Sequence, residues 1–432
     1  MRLVCIILTL LAIALTGTGS LGAEISQSND VPYLIKQLSN EIENVRIQAG
    51  RRLIVLGAAA APSLVDTFRH DTEQEKRDAV VILGSIGEPA LPALIAALGD
   101  ADPGVRSGAA EAFGYTETKL IGAVPALTKA TRDPSVAVRG FAIQALGKIG
   151  PQAASSVPGL TDALEHDGSP EVRKAAAEAI GLVGEAALSA VPALRAALDD
   201  ASDDVKAVAA GALVDISPTD QNVIADVGKL LANNDRNIRA QAAFAISRTG
   251  EVALPFLIEA LADGRATVRA GSAYALSLMG TVSSPATAAL TLLLTDTDEL
   301  VRSSAADALA AIGTSAAGSV DKLIPMLADQ VPIVRASAAQ ALGSIGPKAS
   351  PALARLSDLL NDPVSAVRQA ATAALARISP TSGPVLLRAL ETTNDLIDIS
   401  GIAFSLSSIA TSLQDQSGQM SDRDLAEAIA LL

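Results

Sequence analysis

Apolar residues in this chain recur at intervals of three and four, and the recurrence itself repeats. In residues 331–346, reading VPIVRASAAQALGSIG, Val334, Ala338, Leu342 and Ile345 stand at −1, +3, +7 and +10 from Arg335. That spacing is the buried stripe of an amphipathic helix. Variants return as VAVRGFAIQALGKIG from Val136, PEVRKAAAEAIGLVG from Pro170 and TVRAGSAYALSLMG from Thr267. No segment sustains the period-two alternation of a strand, so the pattern predicts helices throughout.

The basic residue near the start of this helix registers the repeat. It stands at Arg46, Lys76, Arg106, Arg139, Arg173, Lys206, Arg239, Arg269, Arg302, Arg335 and Arg368, with Asp398 at this place in a twelfth unit; spacings run from 30 to 34 residues. Fourteen residues before it stands proline, as at Pro92, Pro125, Pro192 and Pro255. Proline suits the first turn of a preceding helix. Six residues before it stands aspartate, at Asp100, Asp133, Asp167, Asp200, Asp263, Asp296, Asp329 and Asp362, with Asn40 and Asn233 as variants. Asp133-Pro134 and Asp362-Pro363 read as a cap followed by proline at the first helical position. Eleven residues after it stands glycine, as at Gly184 and Gly346, suited to a left-handed C-cap. Ser217 and Ser379 replace it twice, and the variation in length falls between this glycine and the next proline.

Each unit is therefore a helical hairpin that cannot bury its apolar faces alone, and about twelve of them stack over residues 31–413. Residues 24–30 read as a short linker before the stack. After Ser412 the register fails: 414–419 is a polar linker, and 421–432 is a capping helix with Ser421 as cap and Leu425, Ile429 and Leu432 on one face. The joint recurrence of Pro, Asp and Val-Arg resembles HEAT repeats, in particular the short bacterial type also called PBS-lyase HEAT-like repeats. The resemblance implies an all-α fold, an α–α superhelix with second helices lining the concave face. It also implies an Asp/Arg ladder between neighbouring units.

Composition narrows the rest. Aromatics are 2% of the chain and tryptophan is absent, so alanine and leucine must build the core. The net charge of −14 and the lack of any basic run disfavour nucleic acid as a partner. Residues 1–23, MRLVCIILTLLAIALTGTGSLGA, follow signal-peptide order, with cleavage near Ala23 and a secreted or periplasmic destination. The alternative is an uncleaved membrane anchor; after cleavage no stable membrane span is expected. Cys5, the one cysteine, lies in this segment, so a cleaved chain has no thiol for disulfides, nucleophilic catalysis or metal binding.

Candidate function sits where the units differ. Positions +2, +5 and +9 of the second helix should face away from the core and are mostly small or polar, such as Ser337, Gln340, Ser344, Glu111 and Asp307. Phe141 at +2, Phe244 at +5 and Tyr274 at +5 break that pattern, accompanied by Gln144, Lys148, Arg248 and Leu278. Aromatic and arginine side chains dominate interface energetics, so these seven residues form a candidate partner-binding patch. The competing reading is packing within the inter-helix groove. The third unit, FGYTETKLIGAVPAL, is irregular: Glu117 replaces the terminal glycine, and Phe113 and Tyr115 are present.

No catalytic, cofactor-binding or metal-ligating set is found. His70 and His166 both lie near first-helix ends, and no HExxH, nucleophile elbow or P-loop is present. Deoxyhypusine hydroxylase is similar in its repeats but carries His-Glu steps for a di-iron site; this chain has only the reversed Glu165-His166. The reading is a non-enzymatic scaffold with a protein partner. The alternative is a lyase-like or chaperone-like subunit holding a cofactor or client in its groove.

Overall fold

The computed structural model describes residue 25 and residues 27–70, 72–116, 120–392 and 395–416. The signal-like residues 1–23, Glu117 and the 421–432 helix lie outside the described residues. Contacts divide the chain into two units, one ending at Ile216 and the other opening at Ser217. Among the described residues every regular element is a helix, and each unit contains six hairpins.

In the first unit the hairpins are α1 (Val31–Lys36) with α2 (Glu43–Leu56), α3 (Ala61–His70) with α4 (Glu73–Ile86), and α5 (Leu91–Ala97) with α6 (Pro103–Gly114). Then come α7 (Val124–Ala130) with α8 (Val136–Ile149), α9 (Val157–His166) with α10 (Pro170–Val183), and α11 (Val191–Ala197) with α12 (Asp203–Ile216). The second unit has α13 (Gln221–Gly228) with α14 (Arg236–Ser247), α15 (Leu254–Ala260) with α16 (Ala266–Met279), and α17 (Thr287–Leu293) with α18 (Glu299–Ile312). It continues with α19 (Val320–Met326) and α20 (Pro332–Ile345), α21 (Leu353–Asp358) and α22 (Ser365–Ile378), and α23 (Gly383–Thr392) and α24 (Leu396–Gln416).

The periodic residues form the core. Val334, Ala338 and Leu342 are fully buried, as are Val301, Ala305 and Leu309 one unit earlier. Within each unit the even-numbered helices stack on one another, and small residues let their backbones approach closely: a Cβ at Gly343 would lie 2.8 Å from the Ala374 Cα. The repeat's length variation is a 3-10 segment of three residues (Gly57–Ala59, Glu88–Ala90) or of seven (Gly184–Ala190, Gly346–Ala352). The glycine that opens it has φ 71° and ψ −145° at Gly184, a region open essentially to glycine and distinct from the left-handed cap expected. Ser379 takes an extended backbone instead, φ −154° and ψ 134°.

The aspartates correct the expectation of helix caps. Asp362 stands outside α22, whose N-cap is Val364; one Asp362 oxygen accepts the Val364 N–H at 2.9 Å in a tight turn. Its carboxylate also takes the fork of Arg335 from the preceding hairpin, Nε at 2.8 Å and Nη2 at 2.9 Å. Arg335 Nη1 meanwhile donates to the Asp329 carbonyl at 2.8 Å, so one guanidinium ties two turns together. Arg106–Asp133, Arg139–Asp167 and Arg173–Asp200 repeat the arrangement in the first unit. Arg269–Asp296 and Arg302–Asp329 repeat it in the second. True capping with proline at the first position occurs instead at Asp102-Pro103 and Ser169-Pro170.

Further differences from the sequence reading follow from local chemistry. Lys76 and Lys206 make no such fork but pair with Glu73 and Asp203 in their own helices, because an ammonium lacks the planar donors that match a carboxylate. Arg69 of α3 takes Asp100 instead. Asp398 is not an anchor replacement: it is buried and, with Asp395, takes Arg368. Residues 414–416 continue α24 rather than starting a linker. Arg52 donates to the Ser28 carbonyl at 2.8 Å and Ile25 is buried, so 24–30 includes chain tied to the first hairpin.

Candidate protein-interaction surface

The even-numbered helices present one face to solvent, and position decides what is on it. At +5, Gln144 on α8, Phe244 on α14, Tyr274 on α16 and Gln340 on α20 are exposed. At +9, Lys148, Arg248, Leu278 and Arg377 are exposed as well. Position +2 departs from expectation: Ser337 is 4% exposed and Phe141 is half-buried. That position turns toward the neighbouring second helix, where Ser337 lies beside Asp307 of the preceding one.

In the second unit Phe244 is 51% exposed, Tyr274 42% and Leu278 42%. Arg248 sits over the Phe244 ring, 5.9 Å from its centroid, within cation–π range. The helices beneath are rigidly set: Ser247 and Ser277 hydroxyls bond the carbonyls of Phe244 and Tyr274 at 2.8 and 2.7 Å. Helices α14 and α16 pack together, so these four residues lie on adjacent elements. The first-unit trio of Phe141, Gln144 and Lys148 shares α8, where Lys148 Nζ donates to the Gly114 carbonyl at 2.5 Å. These two groups belong to different units.

Three acids on this face differ from the ladder aspartates. Burial pushes Asp307 and Glu111 above the usual carboxylate range, and Ser337 opposes the shift at Asp307. Burial also raises Asp78, against hydrogen bonding from Gln74 and the charges of Arg46 and Arg77. Among the described residues no basic side chain accompanies Asp307. In the second unit a depression of about 190 Å³ lies farther along, lined by Gln340, Gly343, Ala370, Ala373, Ala374 and Arg377.

Two residues of the irregular third unit are structural. Phe113 is buried, and Tyr115 packs on Gly84, where a Cβ would lie 2.6 Å from the Tyr115 Cβ. His166 is exposed beside Asp162, at 3.4 Å. Among the described residues no group of three His, Cys, Asp or Glu side chains is placed to hold a metal ion. Sequence reading missed Phe404 on α24, which is 78% exposed; it stands at +6 from Asp398, outside positions +2, +5 and +9. By length and apolarity alone, Pro170–Ala197 and Ala266–Leu293 could cross a membrane. Each is divided by a positive-φ glycine, Gly184 or Gly280, and each carries an arginine of the ladder.

Comparison with known proteins agrees with this architecture. A family described as HEAT repeats matches residues 61–133, 124–214, 191–277, 224–310, 275–343 and 320–407. The chain belongs to the HEAT-repeat family. Its fold is accordingly the all-α, α–α superhelical class. No curated protein matches the chain. Among solved structures it is similar to Kap121p, at 16% identity and TM-score 0.58, over 92% of this chain and 50% of that one. Kap121p bound to Pho4p gives 16% identity and TM-score 0.55, over 94% of this chain and 49% of that one. Kap95p, in a structure with RanGDP, gives 13% identity and TM-score 0.51, over 95% and 69%. The HEAT repeats here thus span about half the length of Kap121p.

Proposed function

We propose that this HEAT-repeat protein is a non-enzymatic scaffold that binds another protein through the exposed face of its second helices. The observation that carries the reading is the placement of Phe244, Arg248, Tyr274 and Leu278. They stand exposed on adjacent helices of a chain with few aromatics, and the remaining +5 and +9 positions of the second unit are small, polar or charged. Phe141, Gln144 and Lys148 form a second, smaller contact of the same kind. The HEAT-fold neighbour Kap121p is itself seen bound to Pho4p, which supports a protein as the partner class. We further assign the chain to the short PBS-lyase-like bacterial type, on its repeat length. The signal-like order of residues 1–23 supports action in the cell envelope or outside the cell.

The test is affinity capture from an envelope fraction with wild-type and F244A/Y274A chains, with melting temperature measured alongside. Retained partner should fall roughly tenfold while the melting temperature stays within about 2 °C. Unchanged capture would remove the patch, and a chromophore or metal in the purified protein would overturn the scaffold reading. N-terminal sequencing of the secreted chain should begin near Glu24.

A further inference from the structure

The second unit's face carries a graded series of side chains, and the order of the series describes what fits it. Successive second helices α14, α16, α18, α20 and α22 stack side by side. Along them, positions +5 and +9 offer Phe244 with Arg248 over its ring, then Tyr274 with Leu278, then Asp307, then Gln340, then Arg377. Two apolar seats are followed by an acidic one, a polar one and a basic one. Adjacent packed helices lie about 8–10 Å apart, and an extended chain in the polyproline-II conformation advances about 3.1 Å per residue with about three residues per turn. Such a segment crossing the helices therefore presents every third side chain, on one face, to a new seat.

Asp307 gives the series its selectivity. Among the described residues Ser337 is the polar side chain that acts on it, and no cation offsets its charge. It is half-buried between α18 and α20, where a carboxylate without a cation costs free energy. A lysine or arginine arriving there recovers that cost, and a carboxylate arriving there adds to it. Arg377, exposed at the edge of the depression beyond Gln340, sets the opposite preference two helices later. The apolar seats lie on one side of Asp307 only, which gives the bound segment a direction.

We propose that the second unit binds an extended segment of a partner protein that carries apolar side chains three residues apart and a lysine or arginine three residues beyond. Phe244, Tyr274 and Leu278 seat the apolar pair, and Asp307 seats the cation. This deepens the scaffold reading and rests on it.

Fluorescence anisotropy with synthetic peptides tests it on the full chain. The probe is a labelled Gly/Ser peptide of about 13 residues with leucine at its first and fourth positions and lysine at its seventh, made also in reversed order. One of the two should bind. Replacing its lysine by glutamate should weaken binding roughly tenfold or more. D307N should weaken the lysine peptide similarly and abolish the lysine–glutamate difference. S337A, which keeps the carboxylate, should preserve the preference for lysine. Equal binding of lysine and glutamate peptides, or binding by neither order, would overturn the proposal. If that happens while F244A/Y274A still loses partner capture, the groove assignment falls and the scaffold reading stands.

Discussion

Two joints in the second unit are built from the same repeat and held differently. Between α20 and α22, Arg335 forks onto Asp362 and both side chains are nearly buried. Between α14 and α16 the corresponding residues, Arg239 and Asp263, are occupied elsewhere. Arg239 Nη1 donates to the carbonyls of Asn233 and Asn234 at 2.8 and 2.9 Å, and Asp263 takes the guanidinium of Arg265, two residues on. Helix α14 is also shorter, 12 residues against 14, ending before Arg248. The joint without the rung is the one that carries Phe244, Arg248, Tyr274 and Leu278. Residues that recur hold the stack, whereas the place where they lapse is where distinctive side chains reach solvent.

The largest contrast should come from removing each arginine. R335A leaves the Asp362 carboxylate buried without its cation and should lower stability by about 3 kcal/mol. R239A strands no carboxylate and removes bonds to two backbone carbonyls, one part-buried and one exposed, so about 1 kcal/mol or less is expected. Urea denaturation of both variants measures the difference; equal losses would mean that the rung does not distinguish the joints.

Glycine substitutions sharpen the same comparison. G343A drives a methyl to within 2.8 Å of the Ala374 backbone, which has nowhere to yield, and should cost about 2 kcal/mol. At Gly271 on α16 the nearest atom is the end of the Leu231 side chain at 3.0 Å, which can rotate. G271A should change the denaturation midpoint little, because the relief of unfolded-chain entropy offsets the crowding.

Acidity separates the two classes of carboxylate. Asp362, Asp329 and Asp296 feel burial, which raises their pKa values, but arginine and backbone donors outweigh it and hold them below the usual range. Their contribution is complete above the unfolded carboxylate value of about 4 and is lost as pH falls through the lower folded values. Asp263, held chiefly by Arg265, is lowered to about 2. Asp307 runs the other way: burial raises it, so stability should increase slightly as pH falls from its folded value toward about 4. Unfolding followed from pH 7 to pH 2 should show a shallow rise and then a steep loss. D307N should reduce the rise, part of which belongs to Glu111 and Asp78, and leave the loss; an unaltered rise would assign it wholly to those groups.

Much of this was legible in residue spacing. The buried stripe of Val, Ala, Leu and Ile, the glycine turns and the unit count follow from periodicity alone, because each is a property of one hairpin. What escaped depends on the neighbour. Ser337 looks exposed on an isolated helix and is covered by the helix beside it. Asp133 and Asp362 look like caps until the preceding unit's guanidinium is placed against them. Lys76 occupies an anchor position but lacks the fork, and Arg69, outside the register, replaces it at Asp100. The candidate patch could be named from composition, since aromatics are scarce, yet exposure separated Phe244 and Tyr274 from the half-buried Phe141.

Photo-crosslinking tests the assignment of binding to this face most directly. A benzophenone amino acid would replace Tyr274 on the second-helix face or Leu292, 77% exposed on the first helix α17. The expected result is a discrete crosslinked partner from position 274 and none from 292. The same species from both positions, or from 292 alone, would contradict it.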